Sequence, residues 1–444
     1  MFRGTKPTLW SLTRSTDLVG LALGTAIGIE NFFFIPSEVI YGGGLTVLLL
    51  HIASLFLLAA PLALAEMLWS RWLLRPHMQS YVLLGRGWSW VPFVALGAIF
   101  FIFPPYLIDV GGIGVLTLET LLRVGEMPVD LRSHLEASPL RSFLGAFSLL
   151  CFCAGAVLTS ARGMARTIKI LLSLAIPGWI FLSIYMLQSW GSEGLRHVLA
   201  WRPETLTMTL ALRVSSFSLF SLSAGFGIFY TYVFYASQTP WKPIAKTSQD
   251  FWAKPGALLR VVGWAVLGDV LASVVSVILI SPYGLGAIGP EVETRSSKVL
   301  SLDWIPQILI HQPYGRGLVL VYLVSLFAMG AAAAISIFDC LLFQAERQLR
   351  WPRSKAVLHV WGFCAALVTL PLLPLFKDTM DSIGSDIFLP LAALLLSYAV
   401  GWKMPESAQK QIFGRGLVLD GLFLIWRFCI RYLTPIFLIY LLLR

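Results

Sequence analysis

The stretch Gly24-Thr25-Ala26-Ile27-Gly28-Ile29-Glu30-Asn31 decides how this chain folds. It sits inside an apolar run, 17–36, of the length that crosses a bilayer. Yet it holds two glycines, a hydroxyl, a carboxylate and an amide. Glycine removes the side-chain barrier to unwinding. Unwinding frees backbone N–H and C=O groups, and lipid satisfies neither. Such a break persists only where it lines a cavity or holds an ion. A second stretch, Ser221-Leu222-Ser223-Ala224-Gly225-Phe226-Gly227, interrupts the sixth apolar run in the same way. One small-residue seam alone would serve helix packing equally well. Two breaks five spans apart are the mark of inverted repeats with a ligand site at their interface.

Composition agrees. Charged residues make up 13% and apolar ones 57% of the 444 residues, and mean hydropathy is +0.79. Soluble chains carry about 25% charged residues. No dyad alternation of a membrane β-barrel is visible, so the spans are helical. Eleven are expected, at 17–36, 43–70, 88–122, 141–158, 165–187, 211–237, 257–281, 315–346, 356–375, 381–402 and 424–443. The expected architecture is an all-α polytopic membrane protein forming one domain over 1–444. Residues 17–187 form the first five-helix repeat, 211–402 the second, and 424–443 an added helix.

With the N-terminus placed in the cytoplasm, the inside segments hold most of the 33 lysines and arginines. Arg3, Lys6 and Arg14 lie there, as do Lys242, Lys246 and Lys254, and Arg347, Arg350 and Arg353. This asymmetry predicts a multi-pass protein of the bacterial inner membrane, N-terminus inside and C-terminus outside. No cleavable signal peptide is expected. The outside connections 123–140 and 283–314 are polar enough to lie over the membrane, the second as short surface helices. The five cysteines sit in or beside apolar runs and read as small core residues. The formal charge of +10 is membrane topology rather than a nucleic-acid surface. No phosphate-binding loop occurs, the six histidines are scattered, and no catalytic constellation is visible. The expected partners are the lipid bilayer and a small-molecule substrate, with the chain a monomer or homodimer. Gly111-Gly112-Ile113-Gly114 reads as packing.

The order of motifs resembles the neurotransmitter:sodium symporter family, including the bacterial leucine transporter fold. Gly24 through Phe32, Pro36, Gly42-Gly43-Gly44, Pro61 and Glu66 are similar to its first two helices. Ser160-Ala161-Arg162-Gly163, Lys169 and Pro177 resemble its fourth-to-fifth helix turn. Phe220 through Gly227 with Thr231-Tyr232 resemble its sixth helix. Asp378 through Asp381 with Leu389-Pro390-Leu391 resemble its tenth, and Arg427, Arg431-Tyr432 and Pro435 its eleventh. The matches are collinear and cover most of the chain.

The resemblance implies secondary active symport of an amino acid or related small amine, coupled to sodium, by alternating access. It places the substrate against Thr25, Ala26, Gly28, Ile29 and Glu30 of the first break. Phe220, Ser221, Ser223 and Phe226 of the sixth helix and Ala333 of the eighth complete that pocket. A first sodium site would use the Ala26 carbonyl with Asn31, Ser221 and Asp269. A second would use carbonyls of Gly24, Ile27 and Ala328. Where the family places two adjacent hydroxyls, this chain reads Ala331-Ala332-Ala333-Ala334, with none until Ser336, so the second site is expected to be degraded. Ser273 falls where chloride-dependent relatives carry a serine; chloride is not expected. The outer gate would involve Asp381, Phe226 and Tyr106, with Phe34 standing where the family has its gate arginine.

Glu30 departs from a small residue of the family. It could neutralise a cation, carry a proton, or face a watery vestibule as a structural carboxylate. Asp109 could face the cavity, Glu66 is expected to order the break in the first helix, and Asp339 could approach the cytoplasm. Two alternatives stay open: a proton-coupled or uncoupled carrier on the same fold, and a ligand sensor that does not transport.

Overall fold

The computed structural model describes residues 12, 15–122, 131–237, 256–282, 297–413 and 416–444. The basic residues Arg3, Lys6, Arg14, Lys242, Lys246 and Lys254 lie outside the described residues. So do 123–130 and 283–296 of the two outer connections.

The first apolar run is two helices, α1 (Ser15–Ala26) and α2 (Glu30–Gly42), bent by 47° across residues 27–29. Then follow α3 (Leu45–Leu73), α4 (Val91–Leu122), α5 (Pro139–Thr159) and α6 (Ala161–Val198). The sixth run is again divided, into α7 (Met208–Ser221) and α8 (Ile228–Ser237). Next come α9 (Ala257–Leu279), the short α10 (Leu300–Ile310), α11 (Gly315–Leu349), α12 (Arg353–Leu367), α13 (Leu375–Lys403) and α14 (Leu417–Leu442). Each expected span has its helix.

Local chemistry sets several of these ends. The Ser160 hydroxyl accepts a bond from the Gly163 amide at 2.9 Å and starts α6. The Thr207 hydroxyl does the same for α7 from the Leu210 amide at 3.2 Å. Helix α6 runs further than the 165–187 expected, because Gly191, at φ 69°, carries the chain round a kink into one more stretch of helix.

The packing has the reciprocity of an inverted repeat. The broken pair α1–α2 lies on α9, second helix of the second half, and α7 and α8 lie on α3, second helix of the first. Helix α11 is the most enclosed long helix, whereas α6, α12 and α14 leave most of their surface outward. That outward surface is apolar, as lipid requires: Leu174, Ile180 and Phe181 on α6, and Leu424, Ile425 and Phe428 on α14.

Helices α4 and α5 touch backbone to backbone. A methyl group on Gly111 would come within 2.4 Å of the Ala146 amide nitrogen, and one on Gly145 within 2.5 Å of the Gly111 carbonyl oxygen. This is the packing role expected for the Gly111 motif. The outer connection carrying α10 differs from the surface helix expected. Leu300, Ile305 and Leu309 are buried, the Ser301 hydroxyl donates to the Phe32 carbonyl at 2.5 Å, and the Tyr322 hydroxyl donates to the Ser301 carbonyl at 2.8 Å. Its hydroxyl and leucines insert it between α2 and α11. The five cysteines are free, four buried and Cys151 exposed.

Candidate functional site

The two breaks are built differently. In the first, none of the amides of Gly28, Ile29 and Glu30 donates to the backbone of α1, and the helix resumes with the Phe32 and Phe33 amides donating to the Ile29 carbonyl. The Glu30 carboxylate folds back over residue 28. Gly28 makes room for it, since a methyl there would lie 2.3 Å from Glu30 Oε2. In the second, Ser223, Gly225 and Gly227 take left-handed φ of 54°, 96° and 88°. Glycine holds two of those three places without strain.

A buried carboxylate holds the second break. Glu66 accepts from the Gly225 amide at 2.8 Å and the Tyr230 amide at 3.0 Å. Glu66 therefore orders the break in the sixth run, not the first as the sequence suggested. Its aim follows from α8 packing on the same part of α3. The two breaks meet where the Ser223 hydroxyl donates to the Thr25 carbonyl at 3.2 Å.

Next to that contact, the expected first-site residues come together. The Ser221 hydroxyl lies 3.0 Å from Asn31 Oδ1 and is hydrogen-bonded to Asp269 Oδ2. The Asn31 amide nitrogen donates to the Asp269 carbonyl at 3.3 Å and to Ser273 Oγ at 3.2 Å. Three side-chain oxygens thus converge, from Asn31, Ser221 and Asp269. Ala26, the last residue of α1, is buried beside them.

Sequence reasoning missed His51. It is fully buried, with Nδ1 2.8 Å from Ser218 Oγ and Nε2 3.0 Å from Asp269 Oδ1. Ser273 Oγ is 3.1 Å from the same Nε2. The available signal was a histidine within an apolar span, which demands partners.

The second expected ion site has no comparable oxygens. A methyl on Gly24 would lie 2.4 Å from Ile168 Cγ2 and 3.7 Å from Ala332 Cβ. Ala328 and Ala331–Ala334 are buried. The Ser336 hydroxyl donates to the Ala332 carbonyl of its own helix at 3.0 Å. The Ile27 amide closes an ordinary helical bond to the Leu23 carbonyl at 2.9 Å.

A cavity of about 640 Å³ opens above the breaks. Ile29, Glu30, Tyr106, Phe220 and Asp381 line it, with Asp109, Lys298 and Arg213. Thr25, Ala26, Gly28, Ser221, Ser223, Phe226 and Ala333 do not line it. Phe226 is buried and packs edge-on against Phe220, ring centres 5.9 Å apart, so of the expected gate residues only Tyr106 and Asp381 reach the cavity. The Thr25 hydroxyl is turned onto the Ala22 carbonyl at 2.9 Å.

Phe34 stacks on Phe217, with ring centres 4.2 Å apart. Arg213, from the opposite repeat, lies over Phe34 at 5.9 Å and pairs with Glu38. Asp109 faces the cavity and binds two lysines, Lys298 at 2.8 Å and Lys377 at 2.5 Å. Asp339 does not simply approach solvent. It is fully buried, paired with Arg353 and reached by the Tyr235 hydroxyl at 3.3 Å.

Two broken helices in reciprocal halves define the class: this chain has the bacterial leucine transporter fold. A solved protein of the same fold is MhsT, whose crystal structure in complex with L-phenylalanine superposes with a TM-score of 0.79. The likeness covers 98% of this chain and 99% of that one, at 20% identity. No family model matches the sequence, and no curated protein does.

Proposed function

We propose that this chain is a secondary transporter, moving an amino acid or related small amine by alternating access around the two breaks. The observation that carries this is the convergence of both breaks on one buried oxygen cage beneath a cavity. A break exposes helix ends to a ligand, and a cage of convergent oxygens suits a hard cation. Asn31, Ser221 and Asp269 fit sodium by their donor chemistry. The alanine-lined second site does not fit a sodium ion, so coupling is proposed through the first alone. L-phenylalanine in the MhsT complex supports a ligand of amino-acid size. The basic inner segments support placement in the bacterial inner membrane with the N-terminus inside.

The test is uptake by proteoliposomes containing the purified protein, with a library of amino acids and amines. An inward sodium gradient is expected to drive accumulation of one ligand class, and choline is not. Binding without accumulation under any gradient would leave a sensor. Accumulation driven by a proton gradient alone would replace sodium as the coupling ion.

A further inference from the structure

We propose that the membrane face where α13 ends carries a binding site for an anionic phospholipid, its phosphate held by Lys403 and Arg431 and its chains laid along α14. This face is the inner one in the orientation proposed above.

Arg431 is the residue that calls for a ligand. It lies well inside α14, an apolar span of 26 residues, level with the last turn of α13. There its Nε donates to the Gly401 carbonyl at 2.6 Å, and the Trp402 indole donates to the Arg431 carbonyl at 3.3 Å. A guanidinium carries five N–H donors, and the Gly401 carbonyl occupies one. Arg431 has no carboxylate partner among the described residues. Glu406, the acidic residue that follows α13, is taken by Lys410 at 3.0 Å and by Arg427. A cation so placed is costly in hydrocarbon unless an anion or water meets it.

Lys403 is the second cation. It ends α13, is exposed, and also has no carboxylate partner among the described residues. Both cations stand over rings, Lys403 over Tyr398 at 5.5 Å and Arg431 over Trp402 at 5.4 Å. Trp402 meets Tyr432 edge-on with ring centres 5.6 Å apart, and Trp88 stacks on Tyr398 at 5.4 Å. Tyr398, Trp402 and Tyr432 are exposed. Exposed tryptophan and tyrosine settle at the level of lipid headgroups, so this collar sets the two cations at phosphate depth.

The surface beside them selects the source of the phosphate. Tyr432, Ile436 and Ile439 are exposed and follow at helical spacing. They form an apolar stripe that runs from Arg431 deeper into the span. Acyl chains cover such a stripe, and a free phosphate ion does not. Two cations without a counter-charge also favour a headgroup of net negative charge over a zwitterionic one.

The experiment uses the purified full-length protein, delipidated in maltoside detergent. Dioleoylphosphatidylglycerol, dioleoylphosphatidylcholine and glycerol phosphate are titrated in turn, and binding is read from the unfolding midpoint. Phosphatidylglycerol is expected to raise the midpoint saturably. Phosphatidylcholine should need at least ten times the concentration, and glycerol phosphate should have no effect. Lys403→Gln combined with Arg431→Gln should raise the apparent Kd for phosphatidylglycerol at least tenfold. Lys403→Gln alone, at an exposed position, should raise it several-fold and decides the matter if the double variant does not purify. Lys355→Gln removes a cation that stands over Trp351 at 5.0 Å elsewhere on this face, and should leave the Kd unchanged. Equal response to both lipids, binding indifferent to Lys403 and Arg431, or an equal loss in Lys355→Gln would overturn the site. Stabilisation by glycerol phosphate alone would overturn the lipid as its ligand.

Discussion

The two places where an ion could sit beside the first break differ in one respect. Both border backbone freed or bent at residues 24–31. Around the first, Asn31, Ser221, Asp269, Ser273 and His51 bring side-chain oxygen and nitrogen within hydrogen-bond reach of one another. Around the second, Ile168 and the Ala331–Ala334 methyls close on Gly24, and the nearest hydroxyl is spent on its own helix. A broken helix offers carbonyls at both. Only the first adds a carboxylate and a hydroxyl from other helices. The break makes a site possible, and the side chains opposite decide whether it is one.

That contrast can be broken most directly at Asp269. Asp269→Ala strips the buried partner from His51 and Ser221, and removing one member of such a buried pair typically costs about 3–5 kcal/mol. Denaturant unfolding in detergent should show this loss, together with loss of any sodium-dependent stabilisation. A variant as stable as the parent, still responding to sodium, would end the distinction between the sites.

A smaller effect is expected from making the second site resemble the first. Ala331→Ser combined with Ala332→Ser adds two buried hydroxyls and should cost about 1–3 kcal/mol without sodium. Sodium should recover part of that, with a steeper concentration dependence than the parent shows. A purely destabilised protein would show that Ile168 and the helix spacing, not the missing hydroxyls, exclude the ion.

Ser221→Ala removes the one hydroxyl hydrogen in the cage. A loss of about 1 kcal/mol is expected, with apparent sodium affinity falling several-fold in the same thermal assay. Smallest is Lys377→Ala, outside both sites. Asp109 keeps Lys298, so a change below about 1 kcal/mol is expected, with no change in sodium response. A sodium response altered by Lys377→Ala would mean that the cage and the outer cavity are coupled.

Much of this was legible in the chain itself. Glycines and hydroxyls in mid-span announce both breaks, because lipid tolerates those groups nowhere else. Asn31, Ser221 and Asp269 were also reachable through the family resemblance, and the alanine run announced the methyl-lined surroundings of Gly24. His51 was not, because its partners are 167 and 218 residues away and no local spacing marks them. Arg213 escaped for the same reason: it stands over Phe34 from the other repeat, where the resemblance looked for a basic residue within the first. Glu66 was seen but aimed at the wrong break, since nothing in sequence says which of two interrupted helices packs on α3.

The seam between Gly111 and Gly145 has a mechanical meaning. With no side chain between them, α4 and α5 have no lubricating layer on which to slide. A shift along the seam would drive one backbone into the other. The two helices therefore behave as a single beam, and whatever opens or closes around the breaks must pivot against that beam or carry it whole.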